Sequence, residues 1–218
     1  MTDPLRKPAL DPASPPADGK ASPSGVTREF DSFLLASSII NFDQPDVLAK
    51  ALELAAGKSS DVEIAKACFE FVRDRISHSV DAQQNPVTCK ASDVLKHGTG
   101  YCYAKSHLLA ALLRANQIPT ALCYQRLSID DNGPPFCLHG LNAVHLKGIG
   151  WYRIDARGNK PGVAARFDPP QEHLAFKPKL NGEGDLPERH AEPLPEVAAA
   201  LTRFKSWDAL LENLPDAV

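Results

Sequence analysis

The sequence predicts an α+β fold in which helices come first and a small antiparallel sheet follows. Apolar residues between positions 45 and 115 recur at spacings of three and four, as they do on one face of a helix. From position 120 to 155 the pattern changes to short β-rich runs separated by turn residues. Between these two regions a glycine-rich segment leads into a cysteine and an amphipathic helix. We therefore expect the helix that begins near Cys102 to pack on the sheet.

Two helices are predicted before position 77. The first begins at a cap formed by Asp43, Gln44 or Asp46, runs to Ala56, and buries an apolar stripe: Val47, Leu48, Ala51, Leu52 and Ala55. The second begins at residues 60–63, Ser-Asp-Val-Glu, which have the pattern of a capping box. Its expected buried face is Val62, Ala65, Phe69, Val72 and Ile76.

The segment that follows leads to the central cysteine. Residues 77–90 are polar and mixed, which favours a loop or a short irregular segment. Residues 92–96 form one or two helical turns that stop at Gly98. The next helix starts at or just before Cys102, ends near Asn116, and is buried through Leu108, Leu109, Leu112 and Leu113.

Three strands are predicted next, from Thr120 to Leu127, from Leu138 to Leu146 and from Trp151 to Asp155. A turn cluster at 130–135 and a tight connection at 147–150 separate them. Side chains two apart share a face of a strand, so one face of the second strand is expected to meet the cysteine helix. That face carries His139, Leu141, Ala143 and His145.

The chain divides into three parts. Residues 1–27 are rich in Pro, Ser, Ala, Asp and Lys and are predicted to form a disordered tail, because they have too few apolar side chains to offset the entropy of ordering. Residues 28–160 form the predicted core. Residues 161–218 form a Pro-rich extension that carries two short helices, Glu196 to Phe204 and Trp207 to Leu214, packed on the core.

Composition excludes several classes of partner. The net charge is −3 with no basic run, which argues against nucleic acid and acidic membrane surfaces. No apolar stretch approaches the ~20 residues of a membrane span. The N-terminus lacks the apolar region of a signal peptide, and the five cysteines are widely spaced. These features predict a cytoplasmic protein with reduced thiols.

The cysteine helix is the first candidate for chemistry. The unpaired amides and positive dipole end of a helix's first turn stabilise a thiolate at Cys102. Such a nucleophile needs a base, usually histidine, and the histidine needs a third polar group to orient it. A hairpin that turns at 147–150 brings Asp155 beside His139, whereas His145 lies close to the turn. Local geometry therefore favours His139 as the partner of Cys102.

Three segments in order resemble the transglutaminase-like superfamily. The first is Gly100-Tyr-Cys102, followed by Ala-Leu-Leu-Arg-Ala at 111–115 and Ile-Pro at 118–119. The second is His139 with Val-His-Leu at 144–146, and the third is Gly-Trp at 150–151 with Ile-Asp at 154–155. The lead-in at 71–76 and 91–95 is similar as well, so the resemblance covers roughly residues 30–160.

This resemblance implies a papain-like fold and acyl transfer by a Cys-His-Asp triad. Cys102 is the expected nucleophile, His139 the base and then the acid, and Asp155 the residue that orients His139. The backbone amide of Cys102 is one expected oxyanion donor. Candidates for the second donor are Tyr101, Gln84 and Asn85.

The sequence departs from the family pattern at three places. Gly140-Leu141 stands where the family commonly has Ala-Trp, Ala156-Arg157 where Pro-Thr is common, and Gln117 replaces a glycine. Leu141 is therefore expected to alter the wall of the substrate cleft.

Three functions remain open at this point. The first is a cysteine-dependent amide hydrolase, a peptidase or amidase, and the second is a transamidase that passes the acyl group to an amine. The third is a non-catalytic peptide-binding module. The expected partner is a peptide or amide substrate, and no cofactor or metal is expected, because the Cys and His spacings do not fit a structural zinc site. The sequence predicts no oligomeric state.

Overall fold

A computed structural model describes residues 30–216 of the chain. The predicted disordered tail, residues 1–27, lies outside the described residues. The helices are a 3-10 turn at Asp31–Leu34, α1 at Pro45–Ala55, α2 at Asp61–Arg75, α3 at Ser79–Ala82, α4 at Ala91–His97, α5 at Cys102–Ala115, α6 at Pro195–Arg203 and α7 at Trp207–Leu211. Among residues 30–216, none of the helices is both long enough and apolar enough to cross a membrane.

The strands are short at both ends of the chain and long in the middle. They are β1 at Ser77–His78, β2 at Thr99–Gly100, β3 at Thr120–Ser128, β4 at Phe136–Leu146, β5 at Gly150–Ile154, β6 at Arg166–Asp168, β7 at Gln171–His173 and β8 at Gly184–Asp185. The main sheet has the order β5-β4-β3-β8 and is antiparallel throughout. The three predicted strands agree with β3, β4 and β5 to within two residues at each end.

Helix α5 is the centre of the molecule. Every residue from Cys102 to Arg114 is buried, because α1, α2 and α4 cover one side of this helix while β3 and β4 cover the other. Its leucines join the main core together with Leu138, Val144 and Leu146 of β4. The predicted α+β class, with helices packed on a small antiparallel sheet, is therefore confirmed.

The first two helices show how local sequence sets the boundaries. The capping box of α2 is present: Glu63 N donates to Ser60 Oγ at 3.2 Å, and Ser60 N donates to Glu63 Oε2 at 3.1 Å. In α1, Gln44 is the N-cap without a side-chain bond. The predicted stripe of α1 is wrong for Leu48 and Leu52, which are exposed. Only a narrow face of α1, containing Val47 and Ala51, is covered by the neighbouring helices.

Of the four β4 side chains predicted to face α5, His139 contacts Cys102 but the other three do not face the helix. Leu141 and Ala143 lie in a separate small cluster with Phe33, Trp151 and Leu174. His145 stacks on Phe30 and Trp151, at ring-centroid distances of 4.3 and 5.5 Å. The alternate face meets α5, since Asn142 Nδ2 donates to the Ser106 carbonyl oxygen at 3.0 Å. The alternation of side chains between the two faces of β4 was predicted correctly. The sequence pattern does not show which of the two faces α5 covers.

Residues 77–90 contain more order than the sequence predicted. Ser77 and His78 form a parallel two-residue ladder with Thr99 and Gly100. The single-turn helix α3 follows this ladder at once. The ladder fixes the segment just before Cys102 against the end of α2.

The extension adds both a strand and core side chains to the fold. β8 pairs with β3 at Gln125 and Arg126, which makes the sheet four-stranded rather than three-stranded. Both predicted terminal helices are present: α6 is as long as predicted but begins one residue earlier, and α7 ends three residues before the predicted end. Their buried side chains in the main core are Val197, Ala200, Leu201 and Leu210.

Candidate active site

Cys102 is the first residue of α5. Gly98 ends α4 with φ +65°, a conformation that glycine adopts without strain, and the chain then turns through Thr99 and Gly100 into the helix. Because the first amides of a helix have no intrahelical acceptor, the Cys102 side chain lies in a region of partial positive charge. The Cys102 side chain is almost closed off, with an exposed fraction of 7%.

His139 lies on β4 just beyond the end of β5, and it contacts both other predicted site residues. Its Nε2 atom is 2.8 Å from Asp155 Oδ2. The other ring nitrogen, Nδ1, is thereby available to the Cys102 side chain, and hydrogen bonding between the two side chains contributes to the raised pKa of His139. The β4–β5 register pairs Asn142 with Ile154, so the His139 and Asp155 side chains span an offset of two residues. Cys102, His139 and Asp155 thus form one continuous line of contacts.

Asp155 is fully buried and its carboxylate is well supplied with donors. Oδ1 accepts a hydrogen bond from Arg157 N at 3.0 Å, and Oδ2 accepts one from Ala175 N at 3.1 Å besides its contact with His139. Burial alone raises the pKa of Asp155, but the charge of His139 and these hydrogen bonds outweigh it, and the net pKa is lowered. Asp155 is therefore an ionised acceptor for the imidazole.

The charge state of His139 follows from the same contacts. Burial lowers the pKa of His139, but the negative charges of Asp155 and Cys102, with hydrogen bonds to both, raise it to about 10. A raised pKa means that the imidazolium form persists through neutral pH. The imidazole of His139 is therefore held in its protonated form between the Asp155 carboxylate and the Cys102 side chain, an arrangement that suits the activation of a cysteine nucleophile.

The amide of Gly140 is a further partner of the sulfur. Gly140 N donates to Cys102 Sγ at 3.5 Å, a contact that gains strength when the sulfur is charged. A Cβ atom at Gly140 would lie 3.0 Å from the Tyr103 Cα atom and 3.0 Å from its Cδ1 atom. The first turn of α5 approaches β4 this closely because Gly140 has no side chain. Sequence reasoning noted Gly140 only as a departure from the family pattern.

Two residues of the extension complete the surroundings of the imidazole. Ala175 supplies the amide to Asp155, and the Phe176 ring meets the His139 ring edge-on at 5.0 Å and 88°. The Arg157 guanidinium lies over the Phe176 ring, with its Cζ atom 5.7 Å from the ring centre. Sequence analysis missed this segment, because residues 157–195 lack the periodicity that reveals an element.

A second histidine lies close to the site. The His78 side chain is 9% exposed, and its Nδ1 atom lies 3.8 Å from Asp81 Oδ2 without a hydrogen-bond partner. Burial first, and then the charge of Arg157, lower the pKa of His78 well below its usual range. Arg157 binds Asp81 through its guanidinium and Asp155 through its backbone amide, so it links the two His–Asp pairs.

The remaining predicted residues lie at different distances from the chemistry. Tyr101, the N-cap of α5, is buried, and its hydroxyl donates to the Trp207 carbonyl oxygen. Asn85 Oδ1 accepts a hydrogen bond from Trp207 N at 2.8 Å. Gln84 is exposed and no contact joins it to Cys102. Leu141 is buried in the small cluster on the other side of the sheet, so the structure does not bring it to the Cys102 thiol.

The structure also bears on metal binding. In the part of the chain from 30 to 216, no group of three or more His, Cys, Asp or Glu side chains is arranged to hold a metal ion. The described cysteines are free thiols.

Comparison with known families identifies the superfamily of one part of the chain. Residues 49–156 match the family model of the transglutaminase-like superfamily, and this part of the chain belongs to that superfamily. The matched range contains all three residues of the contact line. Comparison with curated protein sequences finds no relative.

Several solved structures match part of this chain at low sequence identity. A Cytophaga hutchinsonii protein described as a candidate cysteine protease has a TM-score of 0.48 and 19% identity, over 59% of this chain and 42% of that one. The periplasmic domain of TgpA from Pseudomonas aeruginosa has a TM-score of 0.42 and 18% identity, over 57% and 45%. A protein described as a TGase has a TM-score of 0.37 and 20% identity, over 51% and 30%. In each case the match spans less than half of the solved chain.

Proposed function

We propose that this protein is a cysteine-dependent amide hydrolase, a peptidase or amidase that works through a thioester acyl-enzyme. The observation that carries the proposal is the line of contacts from Cys102 through His139 to Asp155, with the 2.8 Å bond between the imidazole and the buried carboxylate. Membership of the transglutaminase-like superfamily supports a thiol-based acyl transfer.

The first half of the reaction forms the thioester. The reaction starts with the Cys102 proton already on His139 Nδ1, in keeping with the raised pKa of His139, while Nε2–H stays on the Asp155 carboxylate. The thiolate attacks the amide carbonyl carbon, and the resulting oxyanion faces the backbone amide of Cys102 at the helix start. As the C–N bond breaks, His139 gives its proton to the leaving amine.

The second half releases the acid. His139 Nδ1 takes a proton from water, and the oxygen attacks the thioester carbon. The C–S bond breaks, the carboxylic acid leaves, and Cys102 returns to its starting state. Asp155 holds the imidazole orientation in both halves, since its own lone pairs remain bound to the Arg157 and Ala175 amides.

A transamidase differs only in the acyl acceptor, a primary amine instead of water. A non-catalytic binding module would keep the cleft without this chemistry. The continuous line of contacts from Cys102 to Asp155 favours an enzyme over the binding module. We propose hydrolysis rather than transamidation because water needs no second binding site.

The first test is the alkylation of each cysteine by a small haloacetamide between pH 4 and 9, followed by peptide mass spectrometry. We expect Cys102 to react rapidly below pH 7, and His139→Ala to slow that reaction by about 10²-fold, the range typical of a positioned base. His145→Ala is the matched control, because His145 is on the same strand but stacks on Phe30 and Trp151. Equal rates in the two variants would contradict the proposal.

The acceptor is tested with a peptide mixture and a labelled primary amine. Acids released without amine incorporation are the result expected of a hydrolase, and Cys102→Ala should abolish their release. Incorporation of the amine in preference to hydrolysis would instead identify a transamidase.

A further inference from the structure

The edge of β4 beside Cys102 continues past the end of its neighbouring strand. β5 stops at Ile154, opposite Asn142, so within residues 30–216 the peptide groups of Leu138 and Gly140 on the same edge pair with no strand. The Leu138 carbonyl oxygen accepts the Tyr103 hydroxyl, and Gly140 N points to Cys102 Sγ. Amides two residues apart on one edge are separated by about 7 Å, so Leu138 N lies one strand repeat from the thiol contact.

The chain's own C-terminal segment occupies that edge. Pro215 O accepts a hydrogen bond from Leu138 N at 2.7 Å. The neighbouring Asp216 carboxylate binds the Arg126 guanidinium through two bonds of 2.7 and 2.6 Å. Leu214, the residue before Pro215, packs against the main core. These residues, 214–216, are called the C-terminal segment below.

The same end of the chain is attached on the other side of the site. Trp207 N donates to Asn85 Oδ1, and Trp207 O accepts the Tyr101 hydroxyl. The C-terminal end of the chain therefore bonds to Tyr101 and to Leu138. These are the residues immediately before Cys102 and His139. The exposed fractions of Cys102 and His139 are 7% and 5%, although cavities of about 400 and 260 Å³ are open elsewhere, around Trp151.

Arg126 is placed to recognise the acidic residue of this segment. It lies on β3 directly opposite Leu138, its Cζ atom is 4.2 Å from the centre of the Phe136 ring, and its Nη1 donates to the Gly182 carbonyl oxygen at 2.8 Å. These contacts hold the guanidinium fork in place before a carboxylate arrives. A two-bond contact between guanidinium and carboxylate is selective for an acidic side chain.

We propose that the edge of β4 at Leu138 and Gly140 is a binding site for an extended peptide with an acidic side chain, and that residues 214–216 occupy it as an internal ligand. The hydrogen bond at Leu138 N is available to the backbone of any extended peptide, as in recognition by strand addition. Arg126 makes the site selective for peptides with an acidic side chain. The proposal deepens the proposed function and rests on it: peptide substrates with an acidic residue displace the segment to reach Cys102.

The test uses the full-length chain with Asp216→Arg, which places two positive charges together and releases the segment. Glu212→Arg is the matched control, because it makes the same charge change at an exposed position three residues from Pro215. We expect Asp216→Arg to raise the alkylation rate of Cys102 by a bulky maleimide about fivefold, as the loss of a partly exposed ion pair predicts. Arg126→Asp combined with Asp216→Arg should restore the slow rate.

A second measurement does not depend on the nucleophile. A labelled peptide Asn-Leu-Pro-Asp-Ala-Val, followed by fluorescence anisotropy, should bind the Asp216→Arg protein and compete poorly with the segment in the unmodified chain. The peptide with Asn in place of Asp should bind at least tenfold more weakly, and Arg126→Gln added to Asp216→Arg should remove the difference.

Each outcome has one meaning. If Asp216→Arg and Glu212→Arg have the same Cys102 alkylation rate and neither binds the peptide, the segment is a structural tie and the proposal is overturned. If Cys102 is unreactive in every variant while the acidic peptide still binds through Arg126, the catalytic proposal fails and the peptide site stands.

Discussion

At the scale of single residues, Gly140 sets the distance between the two halves of the candidate site. It stands next to His139 on β4, yet its amide contacts Cys102 Sγ and its Cα faces Tyr103 on α5. A side chain here would push the helix away from the strand, because the atoms it would meet belong partly to the Tyr103 backbone. The contact between thiol and imidazole therefore depends on a residue that has no functional group.

Gly140→Ala should lower both the rate of the proposed reaction and the stability of the protein. The added methyl group would lie 3.0 Å from Tyr103 Cα, so the start of α5 must shift. A shift approaching 1 Å between catalytic groups can cost about 10²-fold in rate. Overpacking of this size destabilises by about 1–3 kcal/mol. The measurements are the Cys102 alkylation rate and urea unfolding.

Gly184→Ala is the control for this prediction. Gly184 is also a strand glycine, but a Cβ atom there meets nothing within 4 Å. It should leave both the alkylation rate and the midpoint of unfolding close to those of the unmodified protein. A loss of rate that is equal in the two variants would show that any strand glycine matters, and the close approach to Tyr103 would not be the cause.

At the scale of elements, Lys105 joins the cysteine helix to the end of α2. Its side chain is 1% exposed, and Nζ donates to Ile76 O at 2.5 Å, with Arg73 O at 3.5 Å. These carbonyls lie in the last turn and just beyond it, where a helix lacks internal donors. Lys105 thus fixes the position of α5 relative to α2, one turn after Cys102.

This contact predicts a pH dependence of stability. Burial first, and then the charge of Arg157, lower the pKa of Lys105 from 10.5 to about 7, although nearby carboxylates oppose the change. Between pH 7 and 10.5 the unfolded chain binds more protons at this lysine than the folded one, so its contribution to the free energy of unfolding rises with pH. Below pH 7 Lys105 is protonated in the folded protein as well, so burial of its charge lowers the free energy of unfolding by its full amount.

Lys105→Met isolates this contribution. The free energy of unfolding of the unmodified protein minus that of Lys105→Met should increase from pH 7 to pH 10.5, measured by urea unfolding at each pH. Other titrating groups cancel in the difference. Lys66→Met, at an exposed position of α2, is the control for the loss of a lysine. A flat difference for Lys105→Met would mean that its amine titrates alike in both states.

Elements with strong internal patterns were predictable, and those defined by their neighbours were not. The capping box at Ser60, the helix that starts at Cys102 and the strands β3 to β5 follow from periodicity and turn residues. Strand β8 has two residues, and it exists because the edge of β3 accepts it. The exposure of Leu52 and the burial of Leu141 depend on which side of an element is covered, which no local pattern encodes.

The candidate site divides in the same way. The line from Cys102 to His139 and Asp155 could be predicted because Cys102 begins a helix, Asp155 directly follows a strand, and hairpin length brings Asp155 beside His139. The groups that support them could not, since Ala175, Phe176 and the Gly140 amide act through backbone position or ring packing. A residue type in the sequence says nothing about such roles.

At the scale of the whole molecule, Arg114 ties three distant parts of the chain together. It is fully buried near the end of α5, and its guanidinium donates to the carbonyl oxygens of Leu35, Thr120 and Ala191 at 2.7 to 3.0 Å. The first lies before α1, the second at the start of β3 and the third in the extension. The buried Arg114 guanidinium therefore bonds to both the core and the extension.

Arg114→Met should destabilise the entire fold and loosen the extension first. Methionine fills much of the volume but leaves three carbonyls without their donor, and each such loss costs about 1–3 kcal/mol. We expect a decrease of about 3 kcal/mol or more in the free energy of unfolding. Amide exchange at His190, whose N–H bonds to Leu122 O at 2.9 Å beside Ala191, should accelerate more than exchange in α5. Arg75→Met, at an exposed position at the end of α2, is the control and should change neither measurement. If exchange at His190 and in α5 instead rises by the same factor, the extension has no separate opening and unfolds only with the core.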